Sequence, residues 1–174
     1  MQGIFIRLLK VSSCLGGLLL NSAVAATCVE HPPRQLRIAG DSALDNQAQL
    51  VWKRCLLGTT WSARTKGCEG MAKGYSQQEA QRAAQTVHAG WRLPTEPELE
   101  TLLVDSCAGL KLDRRVFPNV AAADFGEGAK LWTSSEALPG MFYFINFSAG
   151  GLDMHSTGFG LGVLLVKDAK GKRQ

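Results

Sequence analysis

Short apolar stretches separated by polar turn residues occur near the beginning and along the last third of this chain, a pattern typical of β-strands. Apolar stretches at residues 36–38 and 50–52 predict two early strands with turns between them. Later candidate strands lie at residues 131–134, 141–147, 152–155 and 160–166. Because residues 141–147 carry aromatic side chains on both faces, we expect a central strand there. Residues 160–166 are expected to form a buried closing strand.

Two helices are predicted between these groups of strands, and each begins with a capping box. Ser76 and Glu79 form the first box, ahead of a narrow stripe of alanines at helical spacing. Thr95 and Glu98 form the second, ahead of a leucine-rich turn. The sequence therefore predicts an α+β fold. We expect an antiparallel sheet, two helices between its N-terminal and C-terminal strands, and long loops around residues 114–130.

The first 25 residues have the three parts of a cleavable signal peptide. Arg7 and Lys10 give a positive start, and residues 11–20 form a short apolar segment. Residues 23–25, Ala-Val-Ala, provide the small side chains that a signal peptidase recognises. A lipoprotein interpretation is disfavoured, because the apolar segment follows Cys14 instead of preceding it. We expect export to the periplasm, the cell surface or the medium, with no transmembrane segment after cleavage.

Charge and length point to one domain of ordinary size. Removing the signal peptide from the 174 residues leaves 149, enough to bury a substantial core. It also lowers the net charge from +4 to +2, since Arg7 and Lys10 are lost, and so weak a charge does not favour nucleic acid. The expected organisation is a lead at residues 26–34, a domain at 35–167 and a basic, solvated tail at 168–174.

Four cysteines follow the signal peptide, an even number that implies disulfides in an exported domain. Cys55 and Cys68 flank a glycine-containing loop and are expected to pair with each other. That leaves Cys28 with Cys107. A zinc site is the rival interpretation, but none of the spacings is CxxC and no histidine lies in register with them.

Several short motifs occur in an order that resembles one family of bacterial proteins. They are Asp45-Asn46, Trp52-Lys53-Arg54-Cys55, Gly58, Trp61, Cys68-Glu69-Gly70, Gly90-Trp91-Arg92-Leu93-Pro94-Thr95 with Glu98-Leu99, Val116-Phe117-Pro118-Asn119 and Trp132-Thr133-Ser134-Ser135. Together they look like the Lcl C-terminal domain family, named for the last domain of a bacterial collagen-like adhesin. The run around Arg92 also resembles the core of formylglycine-generating enzymes. The resemblance implies a C-type-lectin-like fold, export, and, in the name-giving member, binding of sulfated glycans.

An enzyme is not expected. Formylglycine-type oxidases need a cysteine pair near the C-terminus to bind copper, whereas the last cysteine here is Cys107. His155 beside Asp153 is interpreted as a surface strand histidine, because no local arrangement typical of a nucleophilic serine accompanies it. The resembled family supplies no established catalytic residues. We therefore predict no catalytic site and no cofactor.

A metal site is not expected either. Glu96-Pro97-Glu98 is similar to the Glu-Pro-Asn tripeptide of calcium-dependent lectins, but it lies in the first turn of a predicted helix. The loop carboxylates Asp124 and Glu127 are too few to complete a calcium cage.

The leading functional hypothesis is a non-enzymatic binding module of the bacterial envelope or surface. Its ligand-facing surface is expected in the loops at residues 113–130 and 153–158, with Arg114, Arg115 and Lys130 contacting an anionic glycan beside Trp132. The alternative is a structural or assembly component of a pilus, secretion or surface complex. That component would act through contacts with an envelope protein partner.

Overall fold

The computed structural model of the protein describes residues 35–87, 89–106, 109–120 and 129–169, and within them the chain is an α+β domain. Its elements are β1 (Arg37–Ala39), β2 (Ser42–Asp45), β3 (Leu50–Lys53), β4 (Thr59–Ser62), β5 (Gly67–Gly70), α1 (Gln77–Thr86), α2 (Glu96–Glu100), β6 (Lys130–Leu138), β7 (Met141–Asn146), β8 (Gly151–Ser156) and β9 (Val166–Asp168). The predicted fold class is confirmed. The expected signal peptide, the lead at 26–34 and the Cys28–Cys107 pairing lie outside these residues.

The strands form three antiparallel sheets where the sequence had suggested one. Their orders are β1-β2-β3-β9, β4-β5 and β6-β7-β8. Strand β7 is central in the last of these, as its aromatic residues predicted. Strand β9 pairs with β3, with Asp168 opposite Leu50, so the sheet extends into the segment expected to be a solvated tail. The last strand of the described chain therefore belongs to the same sheet as its first three strands.

The buried segment at residues 161–165 links these sheets without being a regular strand itself. Leu161 pairs with Tyr75, Gly162 bonds to β6, and the carbonyls of Val163 and Leu165 accept from Leu57 and Lys53. Each residue thus bonds to a different neighbour, which satisfies the buried backbone but prevents one continuous ladder. The predicted burial is confirmed for residues 161–166, whereas the predicted strand at 160–166 is wrong except at Val166, which begins β9.

Two apolar cores lie on opposite faces of the β6-β7-β8 sheet. The first is built around Trp52, Leu131 and Ile145, and the second around Trp91, Trp132 and Phe144. Neighbouring residues of a strand point to opposite faces, so β7 contributes Ile145 to one core and Phe144 to the other. A central strand that is buried on both faces explains the aromatic run in the sequence.

The Gly-Trp-Arg-Leu-Pro-Thr run has a structural role in the fold. Trp91 and Leu93 are buried, while Arg92 points to Glu98 and makes two hydrogen bonds of 2.7 Å to its carboxylate. Glu98 also accepts the Thr95 backbone N–H in the capping box of α2. Arg92 is therefore held by an ion pair within the fold, and its backbone pairs with Val166 on β9.

The same contacts determine how Glu98 titrates. Burial raises the pKa of Glu98, but hydrogen bonds from Arg92 and Thr95 together with the Arg92 charge outweigh burial, so its pKa lies below the usual value. A carboxylate with a lowered pKa stabilises the fold above its unfolded pKa, about 4.3 for glutamate. That stabilisation is lost as the pH falls through the folded pKa.

We predict that Glu98→Gln lowers the free energy of unfolding at pH 7 by about 1 kcal/mol, because a partly exposed, doubly hydrogen-bonded ion pair is lost. The loss of stability on acidification below about pH 4.3 should also become smaller in this variant. Urea unfolding at neutral and acidic pH measures both effects. Glu100→Gln, at an exposed position of the same helix, is the control and should change neither.

Candidate functional site

A cavity of about 240 Å³ opens beside the β4–β5 hairpin. We call it the Trp61 pocket. Its lining combines polar residues with Trp61 and with the apolar residues Leu56, Leu57, Val87 and Leu165. The polar residues are Asp41, Lys53, Thr59 and Thr60. An apolar cavity with a few convergent polar groups is the usual form of a small-ligand site.

The hairpin that carries Trp61 is attached to the rest of the domain by a disulfide. Cys55 and Cys68 are bonded, with their Cα atoms 5.6 Å apart, so the predicted pairing is confirmed. Cys68 lies directly opposite Trp61 in the β4–β5 ladder. The disulfide therefore joins the Trp61 strand pair to the chain that leaves β3, and Cys55 itself lines the pocket.

A buried arginine supports the Trp61 ring. Arg54 is only 6% exposed, and its guanidinium carbon lies 3.9 Å from the centre of the ring. Its three nitrogens donate to the backbone carbonyls of Val116, Gly40 and Arg115 at 3.0, 2.8 and 3.1 Å. Burial lowers the pKa of Arg54. The guanidinium is thus held by carbonyls and a ring face, and it connects the β1–β2 turn, the 113–117 loop and β4.

The loop from Leu56 to Thr59 is shaped by Asn119. Its amide oxygen accepts the Leu56 N–H at 3.1 Å, and its amide nitrogen donates to the Thr59 hydroxyl at 2.9 Å. Gly58 between them has φ of +92°, and a Cβ there would lie 2.9 Å from the Tyr75 hydroxyl oxygen. Only glycine fits this turn without displacing a neighbour.

A charged pair lies at the pocket wall. The Lys53 ammonium bonds to the Asp41 carboxylate and lies 4.7 Å from the centre of the Trp91 ring. Burial raises the pKa of Asp41, but the hydrogen bonds from Lys53 and Ser42 lower it by a larger amount. The pKa of Asp41 therefore lies below its usual value. The pocket therefore offers an ammonium and a carboxylate side by side, an arrangement able to donate to and accept from neighbouring hydroxyl groups.

Arg114 and Arg115 lie in the 113–117 loop, in which the Arg115 carbonyl accepts a hydrogen bond from Arg54. The Arg114 side chain is exposed. Arg115 donates two hydrogen bonds to the Asp113 carboxylate, from Nε at 3.0 Å and from Nη2 at 2.8 Å. These bonds are the main reason why the pKa of Asp113 is lowered. Arg64 and Lys66 are exposed in the connection between β4 and β5, and Lys73 is exposed after β5.

Trp132 is not a ligand-facing residue, and the prediction that placed it at the binding surface is wrong. Its side chain is fully buried, and its indole N–H donates to the Tyr75 carbonyl at 2.7 Å. The rest of its motif is also structural, since Thr133 bonds to Tyr143, Ser134 to Pro94, and Ser135 to the Glu96 N–H that opens α2. A large aromatic side chain on a strand between two cores is buried by packing.

Lys130 and His155 occupy other parts of the sheet. Lys130 begins β6, with its ammonium 5.5 Å from the centre of the Phe144 ring. The His155 ring stacks on Phe159 at 3.9 Å, and Asp153 bonds to the Met154 N–H. Lys130 thus lies on β6, whereas Arg114 and Arg115 lie in the 113–117 loop. Within the described ranges no group of three or more metal-ligating side chains occurs, and no helix there is long and apolar enough to cross a membrane.

Replacing both Cys55 and Cys68 by alanine is expected to lower the free energy of unfolding by about 3 kcal/mol, because the loop of 13 residues is released. Urea unfolding followed by tryptophan fluorescence measures the change. The parent protein treated with a reductant provides the control and should lose at least as much stability. A variant within about 1 kcal/mol of the parent contradicts the anchoring role of this bond.

Comparison with known proteins is informative at the level of the family. No curated protein matches the chain. The family model described as the Lcl C-terminal domain matches residues 41–167, well over half of the chain. That range contains β2 to β8, both helices, the Cys55–Cys68 bond and every residue of the Trp61 pocket. The protein therefore belongs to the Lcl C-terminal domain family.

Proposed function

We propose that this protein is an exported, adhesin-like binding module that recognises an anionic glycan at the Trp61 pocket. Its family suggests an adhesin-like surface module, and the disulfide fits an oxidising compartment outside the cytoplasm. In this proposal the module has a C-type-lectin-like scaffold and acts by binding without catalysis. The observation that carries the proposal is the Trp61 ring, held at a cavity next to a lysine and a carboxylate.

The pocket suits one sugar residue better than a wholly apolar ligand. A sugar ring has apolar C–H faces and polar hydroxyl edges, so it needs an aromatic surface and hydrogen-bonding groups close together. Trp61 supplies the surface, and the Lys53–Asp41 pair with the Thr60 hydroxyl supplies donors and acceptors. The stacked Arg54 and the disulfide hold the aromatic surface in place before the ligand arrives, which limits the entropy lost on binding.

The charges around the pocket favour an anionic glycan. Arg64, Lys66 and Lys73 are exposed on and beside the hairpin, and Arg114 is exposed on the adjoining loop. Glu69 offsets part of this charge, since Arg64 lies 3.7 Å from its carboxylate. Exposed cations that surround a pocket attract a sulfated or carboxylated chain at long range and are screened by salt. Binding is therefore expected to weaken as salt is added.

We predict that Trp61→Ala weakens binding of a heparin-derived oligosaccharide by at least about tenfold, because the stacking surface is lost. Trp61→Phe keeps an aromatic face and should retain most of the affinity. Isothermal titration at low salt measures both variants. Trp132→Phe is the matched control, since it alters a buried tryptophan and should leave the affinity of the folded protein unchanged. Equal affinity of Trp61→Ala and the parent excludes this pocket as the site.

A triple variant tests the predicted loop cations separately. Arg114→Ala with Arg115→Ala and Lys130→Ala should weaken binding of the same oligosaccharide by roughly three- to tenfold and reduce its salt dependence, since exposed cations act mainly through long-range attraction. Unchanged binding removes these residues from the site without affecting the case for Trp61. Absence of glycan binding at low salt, with stoichiometric co-purification of an envelope protein, favours the assembly-component alternative.

A further inference from the structure

Strand β8 forms one edge of the three-stranded sheet. Among the described strands only β7 pairs with it, so its outer side faces no other described strand. Soluble proteins usually protect such an edge with lysine, proline or a bulge. The sequence of β8, Gly-Leu-Asp-Met-His-Ser, contains neither residue type, and its register with β7 is continuous over all six residues.

The outer side of this edge presents both backbone groups and apolar side chains. The Met154 N–H bonds to the Asp153 carboxylate at 2.8 Å, which places this N–H on the outer side of the strand. In an antiparallel strand, the N–H and C=O of one residue point the same way, and the direction alternates along the chain. Leu152 and Ser156 therefore share the outward direction of Met154. The side chains of Leu152 and Met154 are 43% and 38% exposed on one face.

We propose that β8 pairs antiparallel with β8 of a second copy of this chain, about a twofold axis at Met154. This symmetry places Met154 opposite its own copy and Leu152 opposite Ser156. The Met154 N–H leaves the Asp153 carboxylate, so that Met154 exchanges a pair of backbone hydrogen bonds with its copy, and the Leu152 carbonyl accepts the Ser156 N–H of the other copy. The Ser156 carbonyl keeps its bond to the Phe159 N–H. The two three-stranded sheets then become one six-stranded sheet. The exposed Leu152 and Met154 side chains of the two copies pack together on one face.

The side chains of Asp153 and His155 select this register. With the axis at Met154, Asp153 of each copy lies opposite His155 of the other, at the positions where cross-strand side chains are closest. Moving the axis to Asp153 would place two carboxylates opposite each other, and moving it to His155 would place two imidazoles opposite each other. The edge is thus complementary to itself in one arrangement, which makes a second copy a better occupant than an unrelated strand.

Sedimentation equilibrium of the purified chain and of charge-exchange variants tests this pairing. The parent should show a monomer–dimer equilibrium. Asp153→His alone places histidines opposite each other, and His155→Asp alone places carboxylates opposite each other, so each should raise the dimer Kd by about tenfold. The double variant restores opposite partners and should return to within about threefold of the parent Kd.

Two backbone and surface variants complete the experiment. Met154→Pro removes the outward N–H without removing a bond to β7, and it should abolish the dimer while circular dichroism shows a folded chain. Leu138→Ala alters another exposed apolar residue, on β6, and should leave the Kd unchanged. The proposal is overturned by a parent that stays monomeric up to its solubility limit. It is equally overturned by a dimer that is insensitive to both single exchanges, or by one that survives Met154→Pro.

Discussion

The candidate site depends on the contacts that the buried guanidinium of Arg54 makes. The guanidinium donates to carbonyls from two separate loops and lies against the Trp61 ring, so one side chain sets the positions of three segments. Burying a charge is unfavourable, and here carbonyl dipoles and a π face compensate for the lost water. Lysine has no planar fork and would satisfy these acceptors less well. Arg54 therefore explains why Trp61 is held at the cavity and why the loop of Arg114 adjoins it.

A second constraint is the way one sheet separates two cores. At Phe144 and Ile145 the strand β7 is buried on both faces, so these two positions need apolar side chains. The segment at 161–165 then bonds to Tyr75, β6 and the loop after β3 in turn. The 113–117 loop is part of this scaffold, because Val116 and Phe117 are buried in the first core.

Local signals in the sequence were sufficient for several elements. Both capping boxes, the central position of β7 and the Cys55–Cys68 bond follow from residues close together in the chain. The division into three sheets does not, because β9 pairs with β3 across more than a hundred residues. The β4–β5 hairpin was also missed, since its connection lacks the Asn-Gly or Asp-Gly pair that marks a tight turn. Its only signal was the β-favouring Thr-Thr-Trp run.

The candidate site was the part least accessible to sequence reasoning. Trp132 was assigned to the surface because a motif does not reveal which face of a strand is buried, and the structure shows it in the second core. The Trp61 pocket combines residues from Asp41 to Trp61 with Val87 and Leu165, and only tertiary packing brings these together. Arg54 gave no signal either, because a buried arginine and an exposed one look alike in a sequence.

Hydrogen exchange with and without a heparin-derived oligosaccharide tests the central claim most directly, because it locates the ligand without altering a residue. The account predicts slower exchange in the β4–β5 hairpin, residues 59–70, and in the chain from Lys53 to Leu57 that lines the pocket. Slower exchange confined to β6, β7 and β8, with the hairpin unchanged, would contradict it.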